Sequence, residues 1–216
     1  MVRVCSVLAV GDELGTWSPL PPGRLVEVLS GVSAPWWLAG GWALDAHLGH
    51  QTRPHEDTDV LILRRDHPHI RSVLGGWDAH VADPPGSLRP WPVGEVLPDA
   101  VHDVWLRPTF EADWAFQLMI DDTYGDDWVY RRDPRVRRPL ASLAGTASTP
   151  DCPVLAPEIQ LLYKSKGLRP KDEQDFAAVR PTLTQEQVTW LVEALSLSDP
   201  SHPWLPELQA GAPGGG

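Results

Sequence analysis

Cysteine is almost absent. Cys5 and Cys152 are the only two in 216 residues, which excludes a disulfide framework and a cysteine-based zinc site and leaves buried or idle thiols. No stretch reaches the roughly eighteen consecutive apolar residues that a membrane-spanning helix requires. The opening MVRVCSVLAVGDELG has a short apolar run, but acidic residues stand where a small-residue cleavage site would be, so no secretory signal is read and cytoplasmic residence is expected. Basic residues are also few. Lys and Arg number 18 against 29 Asp and Glu, a net charge of −11, which makes nucleic acid an unlikely partner because its phosphates demand a basic face. The acidic balance suits a cationic small substrate and, equally, plain solubility. Phe and Tyr number three each against eleven Trp; most of these indoles read as core or loop anchors, and some could stack on a base or sugar ring.

The length suits one well-buried core, or a compact domain with a helical appendage. GRLVEVLSGV suits a short amphipathic helix after Pro21-Pro22. Pro35 to Ala39 reads as a buried apolar strand or turn entering Gly40-Gly41. WALDAHLGH reads as a helix with Trp42, Leu44 and Leu48 inward and Gly49 as its C-cap. Val60-Leu61-Ile62-Leu63 is a strand buried on both faces. HPHIRSVLGG is a helix stopped by a glycine pair, and the Pro- and Gly-rich stretch 83–98 a surface loop. Strands follow over 101–106 and 114–120. Beyond 150 the pattern turns helical: one helix from Pro157 to Tyr163, a second over 172–179, and a third where Thr184 and Gln187 form a capping box ahead of the Val188, Leu191, Val192 and Leu195 stripe. The expected class is α/β (α+β), a mixed sheet flanked by helices. Its expected divisions are an α/β domain over 1–145, a C-terminal helical segment over 150–205 and a flexible tail over 206–216.

The chemistry concentrates between Gly40 and Leu63. Asp57 and Asp59 open an apolar strand, where residues two apart share a face. Two carboxylates side by side repel unless a cation sits between them. Hard oxygen ligands suit magnesium, which completes its shell with water and phosphates. Two such ions can clamp both oxygens of an in-line nucleotidyl displacement. An isolated D-x-D more often just ends a strand. Here Gly40-Gly41 stands upstream, and glycine lets backbone N–H groups come close to phosphate. No G-x-G-x-x-G and no GK[ST] is present.

Taken together, WWLAGGWALDAHLGHQTRPHEDTDVLIL resembles the aminoglycoside and lincosamide nucleotidyltransferases of the polymerase-beta-type superfamily. The likeness continues more loosely through WVYRRDPRVRRPL and LAPEIQLLYKSKGLRPKDEQDF. It implies a nucleotidyltransferase fold in which Gly40 and Gly41 line a triphosphate and Asp57 and Asp59 bind the metals. Arg53 and His55 would lie near phosphates, and Arg is suited to this by its fork of donors. Lys164 would reach the nucleotide from the first C-terminal helix, while Lys171, Asp172 and Asp175 hold helices together. Such enzymes carry a third carboxylate on a later strand, but Gln117 stands there, and Gln cannot take a proton. Asp103 on the preceding strand and Asp121 at the strand end are the two candidates to replace it.

The cluster Arg131, Arg132, Arg135, Arg137 and Arg138 reads first as a solvated loop pairing with nearby acids, with a phosphate- or RNA-facing role left open. His47 and His50 read as surface histidines. The resemblance implies transfer of a nucleoside monophosphate, AMP from Mg-ATP with two Mg2+ ions, to a hydroxyl of a small, possibly cationic molecule such as an aminoglycoside- or lincosamide-like antibiotic. Two alternatives stay open: a toxin-like enzyme acting on tRNA or protein, and a non-catalytic ligand-binding protein that has lost the third carboxylate.

Overall fold

The computed structural model describes residues 14–84 and 86–210; Cys5 lies outside them. The chain runs through α1 (Pro22–Leu29), β1 (Trp36–Ala39), α2 (Gly40–Leu48), β2 (Asp59–Leu63), α3 (His67–Val73), β3 (Asp78–Ala82), β4 (Leu88–Pro90) and β5 (Asp103–Arg107). It continues through β6 (Phe116–Tyr124), β7 (Asp127–Val129), β8 (Arg137–Pro139), α4 (Pro157–Ser165), α5 (Pro170–Val179), α6 (Gln185–Ser198) and α7 (Trp204–Ala210). The expected mixed α/β architecture with helices at the C-terminal end is what the chain adopts.

The main sheet has the order β1-β2-β6-β5-β3-β4, and β7 and β8 extend it from the far end of β6. Only β2 and β6 pair in parallel; their link through α3 and β3 to β5 is long, as a parallel crossover requires. One face is apolar across its width. Val60, Ile62, Val81, Val104, Leu106, Leu118 and Ile120 pack there with Leu25 and Leu29 of α1 and Ile70 of α3. On the other face Trp37, Leu61, Leu63 and Met119 lie under Ile159 and Leu162 of α4, Phe176 of α5 and Leu191 and Leu195 of α6. That second core, among the described residues, takes nothing from β3, β4 or β5. In β3 and β5 buried residues alternate strictly with half-buried ones, the period-two pattern of a sheet with one packed and one open face. Among the described residues the helices therefore cover the β1, β2 and β6 part of this face, while Trp17 and Trp114 pack against Trp105 of β5.

α6 follows directly from its sequence. Gln187 N–H donates to Thr184 Oγ1 at 3.3 Å and Thr184 N–H to Gln187 Oε1 at 2.9 Å, the reciprocal bonds of a capping box. Thr184→Ala should lower stability by about 1 kcal/mol, seen as a lower urea midpoint with an unchanged slope.

Several elements depart from the expectation. β3, β7 and β8 were not anticipated, and α7 starts inside the expected helical segment and runs on through residues 206–210, where a tail was expected. The 83–98 segment contains β4 and two buried side chains, Trp91 and Leu97. Arg71 clamps it, donating through Nε to the Trp91 carbonyl at 2.8 Å and lying over the indole at 5.6 Å. A Pro- and Gly-rich composition describes the turns of such a segment but not the indole that anchors it. Leu44 of α2 is buried as expected, but Trp42 and Leu48 are only half-buried, and Ala43 and Asp45 are buried beside Leu44. Asp57 precedes β2 rather than lying on it. Cys152 is half-buried and burial pushes its thiol up, consistent with an idle group. Among the described residues no helix is long and apolar enough to cross a membrane.

Candidate active site

The glycine pair stands where β1 becomes α2. Gly40 has φ +68°, a conformation that costs other residues steric strain, and its N–H donates to Gln160 Oε1 of α4 at 2.8 Å. A Cβ on Gly40 would run into the Asp59 carboxylate, and one on Gly41 into His55 and the Arg53 guanidinium. The pair therefore lets the backbone come into contact with one acidic and two basic side chains at once.

Asp59 begins β2, with Thr58 behind it fully buried. Thr58 Oγ1 donates to the Leu20 carbonyl at 2.7 Å, and its own carbonyl accepts from Gln117 N–H at 2.8 Å, so the turn carrying Asp57 is pinned on both sides. Register then defines the site. Asp59 pairs with Gln117 on β6, and Gln117 pairs with Trp105 on β5, so all three point to one face, and Asp103, two residues from Trp105, points there too. Burial pushes the Asp59 carboxyl up to about 7, helped by the charges of Asp57 and Asp103 and opposed by Lys164. A buried carboxyl with raised proton affinity beside two other acids marks a site suited to positive charge.

Asp103 is held, not free. Gln117 Nε2 donates to its Oδ1 at 3.0 Å and Arg131 Nη1 to the same oxygen at 3.1 Å. Burial opposes the charge of Arg131, but Asp103 and the Tyr163 and Asp121 side chains raise its proton affinity further. Arg131 was read as a loop residue; the structure brings it to the site, and only the long-range fold could show that. Asp121, the other candidate acid, is fully buried under Trp128 Nε1, which donates at 2.6 Å, and the Tyr163 hydroxyl. Burial pushes its carboxyl up despite those donors. It lies in the core beneath Arg131.

On the other side of Asp59 stand the basic residues. Arg53 makes a two-pronged contact with Asp175 of α5, Nε to Oδ1 at 3.0 Å and Nη2 to Oδ2 at 2.9 Å. Lys164 Nζ meets the same Asp175 at 2.6 Å and lies 3.9 Å from Asp172. Burial would push Asp175 up, but Arg53 and Lys164 together hold its carboxyl below the usual range. Asp172 and Asp175 thus join helices and orient the two cations, and Lys171 pairs with Glu56 at 3.0 Å. His55 is pinned by Asp45 and packs at a tilt against Trp42, ring centres 4.6 Å apart; Asp45 in turn accepts from Thr52 N–H at 3.0 Å and Oγ1 at 2.7 Å. Gly40, Gly41, Arg53, His55, Asp57, Asp59, Asp103 and Lys164 consequently surround one place.

The remaining arginines disperse. Arg132 donates to the Tyr163 carbonyl at 2.8 Å, Arg135 pairs with Asp133, Arg137 lies over Tyr124, and Arg138 pairs with Glu158 and lies over Trp190. His47 shares a hydrogen bond with Thr182 and His50 bonds the nearby Leu48 carbonyl, so they form no joint site. Among the described residues no three His, Cys, Asp or Glu side chains close on one point.

Comparison with known proteins adds to this geometry. The family model described as Aminoglycoside-2''-adenylyltransferase matches residues 23–179. Two curated proteins, the 2''-aminoglycoside nucleotidyltransferases of Escherichia coli and Klebsiella pneumoniae, are each 44% identical over 45 residues, 19% of this chain and 25% of theirs. The match spans a quarter of those relatives' length. A crystal structure of a lincosamide antibiotic adenylyltransferase with lincomycin bound shares the fold, with a TM-score of 0.53 at 16% identity over 77% of this chain and 100% of that one.

Proposed function

The chain belongs to the aminoglycoside-2''-adenylyltransferase family, and we propose that it transfers AMP from ATP to a hydroxyl of a small antibiotic-like acceptor, with release of pyrophosphate. The observation that carries this reading is the Asp59 carboxyl, pushed up to about 7 between Asp57 and Asp103 and packed against the bare backbone of Gly40. The donor set fits magnesium: two neighbouring carboxylates are hard oxygen ligands, and magnesium completes its shell with water and substrate phosphates. Asp57 and Asp59 would hold the ion, which when bound neutralises phosphate charge.

The chain's own groups divide the rest of the work. Gly40 and Gly41 let phosphate approach the backbone, and Arg53 and Lys164, oriented by Asp175, supply positive charge where the leaving pyrophosphate gathers negative charge. His55, fixed by Asp45, lines the same side. Asp103 takes the acceptor's hydroxyl proton as the oxygen bonds the α-phosphorus and the bond to pyrophosphate breaks. Both of these bonds fall on Oδ1, which leaves Oδ2 to take the proton, whereas Asp121 is enclosed. Loss of a positioned base costs about 100- to 10,000-fold, and Asp103→Ala should fall in that range. Arg131 pairs with Asp103 and Arg138 with Glu158, which supports a small acceptor over RNA by committing two of the five clustered arginines to acids.

Mass spectrometry of lincomycin and tobramycin after incubation with the protein and Mg-ATP tests the reaction. An acceptor heavier by one adenylyl group supports it; unmodified acceptors throughout, with ATP intact, would refute it. The metal has its own test. Magnesium needs the Asp59 carboxylate, so Mg2+ affinity should rise as pH climbs through about 7. Calorimetric titrations between about pH 6 and about pH 8 should show it, and a flat profile would contradict it.

A further inference from the structure

Arg131 and Arg132 lie just beyond β7 and are consecutive, yet their side chains go to different elements. Arg132 donates to the Tyr163 carbonyl of α4 at 2.8 Å. Arg131 goes to β5, where one nitrogen holds two acceptors: Nη1 donates to the His102 carbonyl at 3.2 Å and to Asp103 Oδ1 at 3.1 Å. The His102 carbonyl also accepts from Ile120 N–H of β6 at 2.8 Å, so one end of this grip is fixed by the sheet. Gln117 Nε2 reaches the same Oδ1 at 3.0 Å. Among the described residues nothing donates to Asp103 Oδ2.

The guanidinium is itself seated. Its Cζ lies 5.8 Å from the centre of the Tyr163 ring, and that of Arg132 lies 5.6 Å from the same centre. Tyr163 is buried, and its hydroxyl bonds Asp121. Burial opposes the Arg131 charge, but Asp103, Tyr163 and Asp121 outweigh it and keep the group a cation. The side chain of Arg131 is 11% exposed and that of Asp103 35%, so the cation is the buried member of the pair and presents the acid outward. A pair that only tied segments together would gain from a second bond to Oδ2, because the arginine fork matches both oxygens of a carboxylate. Here both donors crowd onto one oxygen, and the other stays available for a proton.

We propose that Arg131 is a positioning residue of the reaction: by gripping the His102 carbonyl and Asp103 Oδ1 together, it fixes the Asp103 side chain with Oδ2 free to take the acceptor's hydroxyl proton. This rests on the nucleotidyl-transfer reading above, with Asp103 as base, and adds to it a group that acts through that base alone. A base works only within hydrogen-bond reach of the proton it removes, and a displacement of about 1 Å costs up to about 100-fold. The single neutral donor of Gln117 leaves the carboxylate free to turn about its side-chain bonds; the second, charged donor removes that freedom. Helix α4 then serves both halves of the site. Tyr163 seats Arg131, while Lys164, the next residue, meets Asp175 beside Arg53.

A double-mutant cycle tests the proposal, read as kcat and KM with Mg-ATP and whichever of lincomycin and tobramycin is adenylylated. Arg131→Met should lower kcat about 10- to 100-fold and leave the KM for ATP unchanged. In an Asp103→Ala background the same substitution should cost nothing further, because it acts only through that carboxylate. Guanidinium ion added to Arg131→Ala should recover part of the lost rate and should do nothing for Asp103→Ala. Arg135→Gln, which breaks an exposed pair with Asp133, should transfer at the wild-type rate. If the Met variant melts early, Arg131→Lys takes its place in the cycle. It keeps the charge without the fork and should lose several-fold in kcat, again only while Asp103 is present. A wild-type rate in Arg131→Met, or an equal loss with and without Asp103, would overturn the positioning role and leave the transferase reading standing. No transfer by the wild type to either antibiotic would overturn both.

Discussion

Asp59→Asn is expected to reduce adenylyl transfer by about 1,000-fold or more and, at the same time, to raise the melting temperature of the metal-free protein above neutral pH. The two effects have one cause. Burial and the neighbouring charges of Asp57 and Asp103 push the Asp59 carboxyl up to about 7, against about 3.9 in an unfolded chain. The folded state therefore binds the proton more tightly than the unfolded state. The metal-free protein loses stability as pH rises from about 4, and the loss is complete above about 7. Asparagine removes the charge and that loss, for a gain of about 1–2 kcal/mol after solvent screening. Wild type should recover the same increment on adding Mg2+, and the variant should not. Differential scanning calorimetry at about pH 6 and about pH 8, with and without magnesium, reads all four states. A variant that is less stable than wild type at the higher pH would mean that Asp59 holds the fold together instead of waiting for a cation.

Gly40→Ala should be nearly as damaging to activity, about 100-fold, and should also cost about 2 kcal/mol of stability through its positive φ and the collision with Asp59. Gly49→Ala separates the two contributions. Gly49 has φ +75° at the end of α2, but a Cβ there meets nothing within 4 Å. It should lose stability by about 1 kcal/mol and keep its activity. If the two alanine variants behaved alike in transfer assays, the close approach of Gly40 to the acidic residue would have no catalytic meaning.

The parts of the site that lie close in sequence were legible from it. Gly40-Gly41, Arg53, His55 and the acidic pair fall within twenty residues, and turn chemistry, strand pattern and family likeness all act at that range. Helix α6 was legible for the same reason, because its cap and its stripe are local. What could not be read was register between distant strands. Gln117 does stand beside Asp59, as the sequence placed it, but whether an acid accompanied it depended on how β5 pairs with β6. Only the pairing of Asp103 with Met119 and of Trp105 with Gln117 puts Asp103 on the same face. The salt bridge from Arg131 to Asp103 spans |i−j| = 28 residues and has no local trace. The same holds for β3, whose five residues look like loop until β5 and β4 pair with both of its edges. α7 was hidden by Pro206, which is acceptable in a first turn but reads as a breaker in isolation.

Calorimetric binding of a non-hydrolysable ATP analogue to wild type and Asp59→Asn, each with Mg2+ and with EDTA, tests the central assignment most directly. If Asp57 and Asp59 hold the ion, wild type should bind the analogue only with magnesium, and the variant should lose that binding. Equal affinity with and without magnesium, or an Asp59→Asn variant that binds the analogue as wild type does, would contradict it.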